Sequence, residues 1–172
     1  MKKHYYLLLF VLMLSAAANA QTGWITKKVD ERLSVKFPVE PEKVAKNGYE
    51  SYLAKAKDSV KYSSLVMDYK VVAHLDSAAL APIKDSQEFA DQLQMGIASV
   101  KTNYTFGAIT LGKWNTYTTY SMSATEKTNK NTLFMQMTLI GSKMYTLSCL
   151  VPANLVTKNQ EVFLASKELL TK

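Results

Sequence analysis

Two apolar stripes joined by a glycine turn constrain this chain more than any other feature. Thr132–Ile140 alternates with period two and sets Leu133, Met135, Met137 and Leu139 on one face. Lys143–Val151 does the same for Tyr145, Leu147, Cys149 and Val151. Gly141-Ser142 lies between them. A two-residue loop with Gly first favours a type II′ hairpin, because Gly takes a positive φ cheaply. Both stripes cannot face water, so the hairpin has to be covered by other elements.

Further strands surround it. Leu33-Ser34-Val35-Lys36-Phe37 alternates and is ended by Pro38 and Pro41. Tyr49–Ala56 and Val60–Tyr69 read as a hairpin around Lys57-Asp58-Ser59. Tyr104–Leu111 and Trp114–Ser123 read as another, turning at Gly112-Lys113, with a polar loop over Ser123–Asn131. Two segments are helical. Over residues 83–101, Phe89, Leu93, Ile97 and Val100 recur at helical spacing, and Asp85 with Glu88 resembles a capping box. After Pro152, Thr157 and Gln160 suggest a second box. Val162, Phe163, Leu164, Leu169 and Leu170 then form the apolar side of a closing helix. The expectation is an α+β chain: an antiparallel sheet of about six to seven strands flanked by helices, in one domain over residues 21–172.

Residues 1–20 read as an export signal. Lys2 and Lys3 precede an apolar run from Tyr5 to Leu14, and Ala18-Asn19-Ala20 is a small-residue cleavage site. The run is shorter than the roughly 20 residues a membrane-crossing helix needs. Gln21 and not a Cys stands directly after Ala20, so the product is expected in the periplasm or outside the cell, with neither a lipid tether nor membrane insertion. Cleavage would leave His74 as the remaining histidine and lower the net charge from +7 to about +5.

Short stretches resemble the PsbP-like family, whose fold is shared with the Ran-binding Mog protein and with small exported bacterial proteins. They are Ser34-Val35-Lys36-Phe37-Pro38-Val39-Glu40-Pro41, Lys143-Met144-Tyr145-Thr146-Leu147 and Phe163-Leu164-Ala165-Ser166. The resemblance implies an α/β/α sandwich with helices on both sides of the sheet, and a binding or assembly role in place of catalysis. It carries no functional residue onto this chain.

The chemistry-bearing residues are sparse. Cys149 is alone, so no internal disulfide forms, and its strand position predicts burial. His74 with Asp68 or Asp76 is the one conceivable triad, yet no G-x-S-x-G elbow accompanies it. A hydrogen-bonded structural role is the expectation for His74. Asp85, Glu88 and Asp91 lie on consecutive helix turns, and Asp85 and Glu88 suit a helix start better than acid–base work. No metal motif, phosphate cradle or cofactor signature occurs. The cations are almost all lysine, with Arg32 the sole arginine, which disfavours nucleic-acid reading. Tyr104, Phe106, Trp114, Tyr117 and Tyr120 form an aromatic concentration, read as packing first, and second as a cleft for an apolar or sugar-like ligand or as a partner surface. Alternation along one strand sets Trp114 and Tyr120 on one face and Tyr117 on the other. Function is therefore expected to be non-catalytic: an exported binding or assembly module, its partner another envelope or secreted protein. A carrier of a small apolar ligand, in a pocket between sheet and helix, is the alternative; Met135 and Met137 are expected to fill the core before lining such a pocket, and a hydrolase with an unrecognised site comes last.

Overall fold

The computed structural model describes residues 23–46 and 49–170. The expected export signal lies outside the described residues. The central hairpin forms at the expected bounds: β9 (Thr132–Ile140) and β10 (Lys143–Val151) pair antiparallel, with Ile140 opposite Lys143 and Gly141 at φ 65°. The remaining main-sheet strands are β3 (Glu42–Lys46), β4 (Tyr49–Lys55), β5 (Lys61–Asp68), β6 (Tyr104–Phe106), β7 (Thr110–Trp114) and β8 (Tyr117–Glu126). They form an eight-stranded antiparallel sheet in the order β3-β4-β5-β10-β9-β8-β6, with β7 also pairing β8. A second sheet, β1-β2-β11, joins β1 (Ile25–Lys28), β2 (Leu33–Phe37) and β11 (Glu168–Leu169). Four helices complete the described chain: α1 (Tyr69–Val72), α2 (Ser77–Leu80), α3 (Gln87–Val100) and α4 (Asn159–Ala165).

Register puts the two stripes on opposite faces, because Tyr145 pairs with Thr138 while Met144 pairs with Leu139. Tyr145, Leu147, Cys149 and Val151 pack with Leu33, Val35 and Phe37 of β2 and Phe163 of α4. Leu133, Met135, Met137 and Leu139 pack with Tyr120, Met122, Leu80 of α2 and Phe89 of α3. One face is thus covered by a small sheet plus a helix, the other by helices. Two stretches that carry the family resemblance meet on the first face. Phe37 and Phe163 stack at 5.3 Å between ring centroids, and Ser166 Oγ donates to Phe163 O (2.7 Å) while accepting from Lys36 N (3.2 Å).

The strand count exceeds the expected six to seven. β1 and β11 are too short to display a period, and β3, Glu-Lys-Val-Ala-Lys, carries no clear apolar alternation. The stretch 104–111 is broken at Gly107–Ile109 into β6 and the start of β7, both on β8. Gly112-Lys113 is not a turn: both residues pair within β7, opposite Thr119 and Thr118. A Cβ on Gly112 would lie 3.1 Å from Thr119 Oγ1, so close cross-strand packing explains that glycine. The turn falls at Asn115-Thr116, where Asn115 takes φ 54°, a conformation Asn tolerates. Trp114 therefore lies opposite Tyr117 and on its face, correcting the pairing of Trp114 with Tyr120.

Both helix starts also differ from expectation. Ser86 caps α3 by accepting from Phe89 N (3.2 Å). Asp85 instead turns to the sheet, accepting from Lys113 Nζ (2.5 Å), Thr118 Oγ1 (2.6 Å) and Lys84 Nζ (2.7 Å), contacts that hold its carboxyl far below the usual range. α4 begins at Asn159 without a side-chain cap; Thr157 Oγ1 accepts from Asn159 N alone (3.1 Å). α4 ends at Ala165, so Leu169 belongs to β11 and Val162 is exposed.

Candidate functional site

β4 and β5 are covered on one face only. Among their even residues, Ala54, Tyr62 and Ser64 are buried, and Tyr52 and Val66 pack half-buried against the same core. Their odd residues point the other way, and there the helical layer stops short. α3 packs against β6 and β7 and sets Phe89 against Tyr120, 5.8 Å between centroids. The core on that face takes no residue from β3, β4 or β5. Leu53 is 44% exposed, while Ser63, Leu65, Ser148 and Leu150 are half-buried.

A trough of about 340 Å³ occupies this uncovered half, within the size range of binding pockets. Cross-strand pairing builds its floor in rows. Leu53 lies opposite Ser63 and Ser63 opposite Ser148; Lys55 lies opposite Lys61, Lys61 opposite Leu150 and Leu150 opposite Leu133. Ser63 and Ser148 share a hydrogen bond of 2.6 Å. Lys101, the C-cap of α3, and Tyr104 at the start of β6 form one wall, with the ammonium 5.7 Å from the ring centroid. Glu42 of edge strand β3 also lines the trough.

The Lys55–Lys61 pair follows from its turn. Ala56 N donates to Val60 O (3.0 Å), and the three-residue loop ends at Ser59 with φ 68°. Asp58 Oδ1 supports it by accepting from Val60 N (3.1 Å). That closure sets two lysines directly opposite on one face, an arrangement that costs stability through like-charge repulsion. Among the described residues, Lys55, Lys61 and Lys101 form no ion pair, and all three are exposed. The sequence reading missed this site, although the loop at 57–59 already implies the Lys55–Lys61 register.

The residues singled out from the sequence do not converge on a catalytic centre. His74 is exposed, at φ 57° in the turn between α1 and α2, and no hydrogen bond to it occurs among the described residues, against the structural role expected of it. Asp76 caps α2 by accepting from Ala78 N and Ala79 N, and Asp68 caps α1 and accepts from Ser142 Oγ (2.7 Å). Asp68 and Asp76 do line one cavity of about 430 Å³ with Arg32, Lys70 and Lys143, but both carboxylates are committed to caps. Cys149 is fully buried, and burial pushes its thiol pKa up. Met135 and Met137 fill the core. Among the described residues no cluster of three or more His, Cys, Asp or Glu is placed to hold a metal ion.

One further titratable group is unusual. Lys167, between α4 and β11, is 4% exposed and has no carboxylate partner among the described residues. Its ammonium donates to Gln136 Oε1 and to Thr138 Oγ1 (3.1 Å) and lies 5.2 Å from the Trp114 ring centroid. Burial pushes its pKa down to about 8. The enclosure makes it a pin between the chain's last segment and the main sheet.

No family model matches the chain, and no curated protein matches it. Among solved structures it is similar to the solution structure of cyanobacterial PsbP from Synechocystis, with a TM-score of 0.60 and 7% identity over 86% of this chain and 93% of that one. A crystal structure of a Bacteroides thetaiotaomicron protein aligns at a TM-score of 0.47 and 15% identity, over 81% of this chain and 46% of that chain. Among the described residues no helix is long and apolar enough to cross a membrane. The chain has the PsbP-like fold.

Proposed function

We propose that this chain is an exported, non-catalytic binding or assembly module, and that it holds its partner in the trough on the uncovered half of the main sheet. The observation that carries this reading is the incomplete cover: one face of β4 and β5 packs into the core, while the other presents Leu53, Leu150 and the Ser63 and Ser148 hydroxyls beside three lysines. A sheet face left in this state exposes surface that a partner can bury at a gain of roughly 25 cal/mol per Å² of apolar area. The amino-terminal segment supports export, and the engagement of Asp68 and Asp76 as helix caps supports a non-catalytic role. The carrier reading has less support, since Met135 and Met137 pack into the core and the trough is open to water.

The test is affinity capture from envelope fractions of the source cell, comparing the native protein with Leu53→Asn. That substitution keeps charge constant and sits at a 44% exposed position, so the fold survives it. Partners retained by the native protein should be depleted on the variant. Identical recovery on both would overturn the trough as the binding site.

A further inference from the structure

We infer that the trough receives an extended acidic segment of a partner protein, its carboxylates seated among Lys55, Lys61 and Lys101 and an apolar side chain laid against Leu53 and Leu150. The inference rests on the binding reading above and adds the chemistry of the partner. Its first support is charge. Two lysines directly opposite on one sheet face repel, and Lys101 brings a third cation to the same cavity. None of the three has a carboxylate partner among the described residues, and Glu42 is the lone acid in the lining. An arriving carboxylate removes the repulsion and gains attraction, so the same cluster that weakens the free protein favours the complex.

The second support is the floor, which distinguishes a peptide from a lipid surface. The apolar groups are interrupted by the Ser63–Ser148 pair. Two hydroxyls carry two protons, and their mutual bond uses one. The other needs an acceptor. Water can supply it in the free protein, and a peptide carbonyl in a complex. An acyl chain cannot, and would bury the hydroxyl unsatisfied. The length also suits an extended chain, since the lining crosses neighbouring strands from β3 to β9, a run of roughly 19 Å that takes about six extended residues.

Fluorescence anisotropy with short labelled peptides tests this. A peptide alternating Glu and Leu should bind about tenfold more tightly than its Gln–Leu counterpart, and the difference should shrink as salt is raised. Lys61→Gln should remove most of that preference. The triple charge reversal of Lys55, Lys61 and Lys101 to Glu should transfer it to a Lys–Leu peptide, with circular dichroism confirming the fold. Equal affinity for the Glu–Leu and Gln–Leu peptides would overturn the inference. So would cosedimentation with phosphatidylglycerol vesicles in the absence of peptide binding. If Leu53→Asn still loses envelope partners while the acidic peptide fails to bind, the acidic partner is wrong and the binding module stands. If Leu53→Asn loses nothing, the binding reading itself falls.

Discussion

The two faces of β4 and β5 belong to the same strands and have opposite fates. On one, Ala54 and Tyr62 join a core closed by β2 and α4. On the other, Leu53 and Ser63 look into an open trough. Alternation along a strand is therefore enough to make one set of residues structural and the next set available. What differs is the covering layer: the small sheet reaches across β4 and β5, while α3 sits over the β6–β8 end. Stability should be concentrated on the first face and recognition on the second.

The largest test of that division compares Phe163→Ala with Leu53→Ala. Phe163 is fully buried against Phe37 and Tyr62, so its truncation should cost about 3–5 kcal/mol in urea unfolding. Leu53→Ala should cost less than about 1 kcal/mol. Similar losses at the two positions would dissolve the distinction between the faces.

The sealed face is also fastened by polar groups. Tyr145 OH donates to Asp30 Oδ2 (2.5 Å), and Lys143 Nζ donates to Asp30 Oδ2 (3.0 Å) and Glu31 Oε1 (2.7 Å), tying the β1–β2 turn to β10. Burial alone would raise the pKa of Asp30; hydrogen bonds from Tyr145, Arg32 N and Lys143 outweigh it and bring it below the usual value. Tyr145→Phe should cost about 1.5–3 kcal/mol near neutral pH. Because the folded pKa is depressed, the contribution of Asp30 is fully present above its ordinary value of 3.8 and is lost as pH falls through the lower folded value. The acid limb of native stability should accordingly be steeper than that of Tyr145→Phe.

Lys167 has the opposite pH signature. Its folded pKa, about 8, lies below the ordinary 10.5, so above pH 8 the unfolded chain binds the extra proton. Stability should rise by about 2 kcal/mol between pH 8 and 10 from this group. Above pH 10 the buried tyrosines, with raised pKa values, act against it. Lys167→Met should flatten the rise, which thermal unfolding across that range would record. An unchanged slope would mean that Lys167 is not buried as a charge.

The smallest effect belongs to the open face. Lys61→Glu places opposite charges across from each other at Lys55 and should raise stability by about 0.2–1 kcal/mol. The same substitution should weaken binding of the acidic peptide. A gain in stability accompanied by a loss of recognition would mark the lysine pair as a functional compromise.

Legibility in the sequence followed the strength of local signals. β9, Gly141-Ser142 and β10 were readable because a long alternating pattern and a glycine turn agreed. β3 and β11 were not, since short border strands form only when a neighbour offers them an edge. Gly112 misled because glycine serves close packing as well as turns, and Asn115 took the turn instead. Asp85 misled because a side chain near a helix start can be claimed by a distant strand, here through Lys113 and Thr118. The trough has no motif. It exists because a covering helix stops short, and that depends on packing between segments far apart in sequence.

The bond between Ser166 and Lys36 spans 130 residues, and β11 lies in the same small sheet as β1 and β2. Such closure has a kinetic consequence. Contacts this remote in sequence are slow to form, because loop entropy must be lost before any packing is gained. Leu33, Val35 and Phe37 emerge early from the ribosome, while Phe163 and β11, which complete their surroundings, are made much later. A chain with this topology stays loose around β2 until β11 has joined it.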